Sequence, residues 1–217
     1  KLVLYSRKVK KPVAARYAFT NTSQATLFNA SGLPAPSFRT DDWDLITSSV
    51  VLQPQVDAQT GKMMYQLSVS ARETDIYYDY NKVPTKNAPR FLSPIPAGKT
   101  GTLYAVPARD GYLSAYISSW KLVGNKALGA VITSRETDKN ISGNLISLAD
   151  GVLGNAGRRD AGWMGLEGND LDIVLDMRTL QTVKNIKCNF LSDNNDWVFL
   201  PRFVQVEVSN DGITYRK

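Results

Sequence analysis

Apolar residues along this chain recur at every second position far more often than at the three-to-four spacing of a helix, so the sequence predicts strands. Leu171, Ile173, Leu175 and Met177 alternate with Asp170, Asp172, Val174 and Asp176, the pattern of a strand with one buried face and one mostly wetted face. Similar runs predict strands at 2–5, 13–19, 48–52, 63–70, 75–80, 101–107, 112–122, 130–134, 183–191 and 203–209, punctuated by Gly, Pro and Asn. No amphipathic helix of convincing length and no internal repeat interrupts them. The expected fold class is all-β, built from antiparallel β-sandwich modules.

Turn punctuation divides the 217 residues into three unequal pieces. Residues 1–45 hold two strand-like runs and a loop rich in Asn, Ser, Pro and Gly, too little to fold alone. The five strands expected in 46–123 suit a small antiparallel sandwich. Residues 124–217 form a third unit, whose last turn, at Asn210, Asp211 and Gly212, opens a strand that reaches only to Lys217. That pattern reads as part of a longer β-protein.

Composition then removes whole classes of chemistry. The chain has no histidine, so neither a Ser-His-Asp nor a Cys-His nucleophile system can be assembled, and no histidine-ligated zinc site either. One thiol cannot close an internal disulfide, and Cys188, in phase with Ile186 and Phe190, is expected to pack in the interior. The net charge of +6 is local: six of the 26 basic residues and none of the 20 acidic ones fall in the first sixteen positions, which leaves 20 of each in the rest. A nucleic-acid groove would spread cations along a surface beside stacking groups or a recognition helix, so no nucleic-acid partner is expected. The basic stretch reads as a solvated strand face or a contact surface. No apolar run approaches the roughly 18–20 residues of a membrane span, and none near Lys1 resembles the apolar core of a signal peptide.

Three resemblances follow from particular motifs. LADG at 148–151, GWMGLEGNDLDIVLDM at 162–177 and FLSDNNDWVFLPRFVQVEVSNDG at 190–212 resemble the discoidin (factor 5/8 type C) family in the form appended to bacterial β-hexosaminidases and other glycan-processing enzymes. That likeness implies a jelly roll, here C-terminally truncated, which binds sugars through loops at one end, often with a structural calcium. IYYDYNKVPT at 76–85 and PIPAGKTGTLYA at 94–105 resemble the immunoglobulin-like (Ig-like) domain at the C-terminus of chitobiases, with Asn81 in place of the usual turn glycine. Such domains act mainly as spacers. KKPVAARYAFTN at 10–21 and LFNASGLPAPSFRTDDW at 27–43 are similar to the end of the sialate O-acetylesterase family, whose catalytic Ser and His lie upstream. The implied parent is an exported bacterial carbohydrate esterase, periplasmic or extracellular, and the implied domains are an esterase tail at 1–45, an Ig-like spacer at 46–123 and a discoidin-type module at 124–217.

Candidate site residues follow from the loops. Trp197 and Phe199 lie in a stretch with Asn194 and Asn195, and a sugar, with apolar C–H faces beside hydroxyls, calls for an aromatic platform with planar amide partners. The competing expectation is that Trp197 and Phe199 close the end of a core. Trp163 stands between glycines as a second platform or an edge plug. Arg158 and Arg159 are loop cations that could pair with a carboxylated sugar such as sialic acid. Asp150 is the candidate calcium ligand, a hard cation needing six to eight oxygens, against a role in its own turn. Asp170, Asp172 and Asp176 share a strand face, but an alternating strand presents such groups to water, so no catalytic residue is assigned. The resulting expectation is a non-catalytic region that binds sialylated, galactosyl or hexosamine-containing glycans for an upstream catalytic domain. A purely structural spacer and the tail of a hexosaminidase-type glycosidase are the alternatives.

Overall fold

The computed structural model describes residues 3–19, 22–24, 26–41, 48–135, 141–155, 162–168 and 170–217. Two compact units divide the chain, Lys1–Leu45 and Ile46–Lys217. As the alternation predicted, the structure is all-β, and its sheets are antiparallel with no α-helix among the described residues.

In the first unit, β1 (Arg16–Tyr17) pairs with β2 (Phe38–Arg39). The residues that carry the esterase-like motif build this unit. Arg16 grips both oxygens of Asp41 at 2.8 Å, and Tyr17 stacks on Phe38 with ring centroids 5.4 Å apart. The Tyr17 hydroxyl accepts the N–H groups of Thr26 and Leu27. Because the Asp41 side chain is only 1% exposed, the bidentate pairing with Arg16 is what makes its burial tolerable. Most of the strand expected at 13–19 is irregular, and residues 3–5 form no strand. In the run 13–19 only Ala15 to Tyr17 find backbone partners, along Phe38 to Thr40, and residues 3–5 pair with no strand among the described residues.

The second unit is organised around a two-sheet sandwich. One sheet has the order β3–β4–β6, from β3 (Val51–Val56), β4 (Met63–Ser68) and β6 (Ile95–Pro96). The other is centred on β7 (Gly101–Arg109), with β5 (Asp75–Tyr80) along one edge, and β8 (Tyr112–Leu113) and β9 (Ser118–Leu122) along the other. Met63, Tyr65 and Leu67 point inward from β4 at every second residue and meet Leu103 and Ala105 from β7, with Val50, Ile76, Ile95 and Leu122 completing the core. Pro54, which has no N–H to donate, sits in β3, an edge strand among the described residues.

Turn chemistry places these strands. Asp110 and Gly111 both have positive φ, 49° and 75°, as a tight two-residue hairpin between β7 and β8 requires. Asn81 has φ 61°, the left-handed conformation expected of it in place of glycine. Its N–H donates to the Thr102 carbonyl at 2.7 Å and its Oδ1 accepts the Thr102 N–H at 2.9 Å, which continues the β5–β7 ladder past the end of the strand.

Past residue 123 the chain keeps contact with this core. Val123 N–H donates to Gly151 O and Leu153 N–H to Lys121 O, so that 151–153 lies along the outer edge of β9. The Tyr65 hydroxyl crosses to donate to the Asp150 carbonyl at 2.9 Å. Farther on, β10 (Val131–Ser134) pairs with β13 (Ile173–Asp176), and β11 (Ile141–Ser142) with β12 (Gly165–Leu166). Arg178 reaches back through Nε to the Gly129 carbonyl at 3.1 Å. At that junction a Cβ on Gly129 would lie 2.4 Å from the Gly61 carbonyl oxygen, with φ at +82°. Gly129→Ala is therefore expected to lower stability by about 1–3 kcal/mol in urea unfolding, through backbone strain and this clash together; an unchanged midpoint would show that the junction yields freely.

Two expectations for 178–217 are corrected. The runs 183–191 and 203–209 form no strand, with a single bridge at Val208, and no residue described beyond Asp150 is fully buried. Cys188, expected inside, is exposed, with Ile186 and Phe190 beside it at 52% and 48% exposure. Alternation gives a strand an apolar face, but burial requires a second layer, and none covers this segment among the described residues. The run ends in a hairpin closed by Val208 and Arg216, with Gly212 at φ 71° in its turn.

Candidate functional site

Trp197 and Phe199 are brought together as the sequence suggested, and neither closes a core. The chain turns through a short 3-10 segment, Asn194–Asp196, pinned by paired backbone hydrogen bonds between Asp193 and Val198 at 2.9 and 3.0 Å. Val198 is half-buried beneath the turn, while its neighbours stand outward, Trp197 82% and Phe199 63% exposed. Trp197 holds φ 58°, a left-handed conformation unusual for so bulky a residue. The rings meet edge to face at 83°, their centroids 6.3 Å apart, and so form a corner open to solvent. Asn194 and Asn195 lie exposed on the same turn. Chemically, the arrangement offers a flat apolar face with amide donors and acceptors beside it.

Trp163 takes a different part. Its Nε1 donates to the Asn155 carbonyl at 3.1 Å, and its ring lies so close to Gly154 that a Cβ there would come within 2.3 Å. The polar edge and part of the ring surface are thereby engaged within the fold. Arg158 and Arg159 lie outside the described residues.

Asp150 is 3% exposed. Its Oδ1 accepts the Val152 N–H at 2.8 Å, and its carbonyl is the acceptor for Tyr65. Burial pushes the carboxyl up to about 6, opposed by the Val152 N–H, and burial together with the Asp150 charge raises the Tyr65 hydroxyl well above its usual range. Among the described residues no group of three or more His, Cys, Asp or Glu side chains gathers here or elsewhere, and two of the oxygens of Asp150 already face protein donors.

The carboxylates at and just before β13 face water. Asp172 is exposed, with Arg135 at 3.8 Å, and Asp176 accepts the N–H of Arg178. Asp211, which the sequence placed in a turn, has its carboxylate held down to about 2 by the N–H groups of Thr214 and Ile213 and by the Ser209 hydroxyl. The signal was the Ser-Asn-Asp-Gly run, which fixes a turn. A shallow apolar groove of about 400 Å³ between Phe28, Leu33, Pro34 and Pro36 carries no charged group.

At the level of class, the molecule is a β-sandwich chain with one open aromatic turn and no catalytic constellation among the described residues. Neither a protein-family model nor a curated protein matches it.

Proposed function

We propose that this chain is a non-catalytic accessory region that holds glycans for an esterase of the sialate O-acetylesterase type, with a chitobiase-like immunoglobulin domain as spacer and a discoidin-type module as the binding element. The observation that carries this reading is the Trp197–Phe199 corner. A pinned turn holds two large aromatic side chains outward in edge-to-face contact beside two asparagines, a contiguous apolar face suited to a ligand. Weak contacts of this kind act by raising the local concentration of substrate around a tethered enzyme. The motif likenesses supply the esterase and the exported, periplasmic or extracellular setting.

The test is calorimetric titration of the 217-residue chain with sialylated, galactosyl and hexosamine-containing oligosaccharides. Binding without hydrolysis is expected, and Trp197→Ala should weaken it at least about tenfold, as loss of an anchor residue does. The same variant should leave the unfolding free energy in urea within about 0.5 kcal/mol of wild type, because the ring is mostly in water. A second reading, a purely structural spacer, is favoured by the exposed apolar run at Ile186, Phe190, Phe203, Val204 and Val206, a surface suited to packing against another domain. It predicts the reverse for Trp197→Ala, with glycan affinity unaffected and stability reduced.

A further inference from the structure

We propose that residues 3–13 form a binding arm for a linear polyanionic glycan carrying sulfate or carboxylate groups along its length, with Arg7, Lys8, Lys10 and Lys11 as the contacts. Four of the five positions 7–11 are cationic, and no acidic residue precedes Asp41. Asp41 is already occupied, 2.8 Å from Arg16 and 3.7 Å from Arg39, with its side chain only 1% exposed. All four cations of the arm are exposed, and among the described residues no ion pair reaches any of them. The backbone bends at 7–8 and again at 10–11, with the Lys8 N–H donating to Ser6 Oγ at 3.2 Å. Like charges crowded onto so short a segment repel one another, a cost that a counter-charged polymer relieves.

The open form of the arm selects the ligand. A site for one small anion closes buried polar groups around it, whereas a row of exposed cations answers a ligand whose charges repeat. Nucleic acid repeats its charge too, but it is held in addition by aromatic platforms or by a helix in a groove. The arm has one aromatic residue, Tyr5, and the described residues contain no α-helix. The proposal is independent of the Trp197 turn, since it rests on different residues and a different force.

A fluorescent heparin-derived oligosaccharide, followed by anisotropy against the full chain, provides the test. Affinity is expected to fall at least about tenfold between roughly 50 and 200 mM salt, through release of bound counterions. Replacing Arg7, Lys8, Lys10 and Lys11 together by Gln should abolish most of the binding and its salt dependence. Lys8→Arg with Lys10→Arg and Lys11→Arg should keep it, and so should Trp197→Ala. Exposed lysines elsewhere serve as the control, and Lys184→Gln with Lys187→Gln should change nothing. On the wild-type chain, NMR shifts induced by the probe should concentrate in 3–13, a readout that does not depend on the variants folding. Unchanged affinity in the Gln variant, shifts centred outside the arm, or equally tight binding of a single-stranded oligonucleotide of matched charge would each overturn the proposal.

Discussion

Replacing Leu103 by Ala is expected to lower the stability of the second unit by about 3–5 kcal/mol, a large share of the roughly 5–15 kcal/mol that holds a domain of ordinary stability together. Leu103 is 0% exposed, on the central strand of the four-stranded sheet, where it stands opposite Tyr80 of β5 on one side and Trp120 of β9 on the other. Its side chain joins the core shared with Tyr65 and Leu67 of the facing sheet. Removing it forfeits the transfer of the side chain from water and leaves a void that neighbours anchored in two hydrogen-bonded sheets cannot fill. Urea unfolding monitored by tryptophan fluorescence measures the loss. Leu180→Ala is the reference: that side chain is 77% exposed, and its removal should change stability by less than about 0.5 kcal/mol. Equal shifts for the two would place the cooperative core somewhere other than this sandwich.

The second large effect depends on pH and belongs to Asp150. Its folded carboxyl titrates at about 6 against an ordinary value of 3.8, so between these values the folded chain holds a proton that the unfolded chain has released. The contribution of Asp150 to stability is therefore greatest below about pH 4, falls as the pH rises through about 6, and is flat above that, with a total loss of up to about 3 kcal/mol. The direction is opposite to that of a carboxylate stabilised by a cation, because desolvation dominates here. Asp150→Asn keeps an oxygen to accept the Val152 N–H and removes the buried charge. It should flatten the profile and recover most of the difference at neutral pH. Urea midpoints of both proteins measured from acid to neutral pH decide the matter; parallel profiles would show that Asp150 does not carry the pH dependence, and a variant less stable than wild type at neutral pH would show that the charged carboxylate is needed.

Much of the sandwich could be read in the alternation. The run at 75–80 is a strand with those bounds, and 63–70, 101–107 and 130–134 differ from the observed strands by one or two residues at an end. The long run expected at 112–122 splits into β8 and β9, and the two-residue strands β2, β6, β11 and β12 were not anticipated. Those short strands owe their pairing to long-range contacts, for which a local pattern holds no record. The aromatic turn was legible as a cluster of Trp, Phe and Asn, but its outward orientation was not. Closing a core and facing solvent use the same residues.

By itself, the amino-acid sequence determined the class of the fold, the exclusion of histidine chemistry, the left-handed role of Asn81 and the concentration of charge in the first sixteen positions. These are properties of residue type and spacing, complete within a few positions of the chain. Tertiary structure alone decided that Trp163 lies against Gly154, that Asp150 is buried beside Tyr65, and that Cys188 and the runs at 183–191 and 203–209 face water. Each of those depends on what lies across from the residue, and burial is a relation between surfaces that no single strand carries in its own pattern.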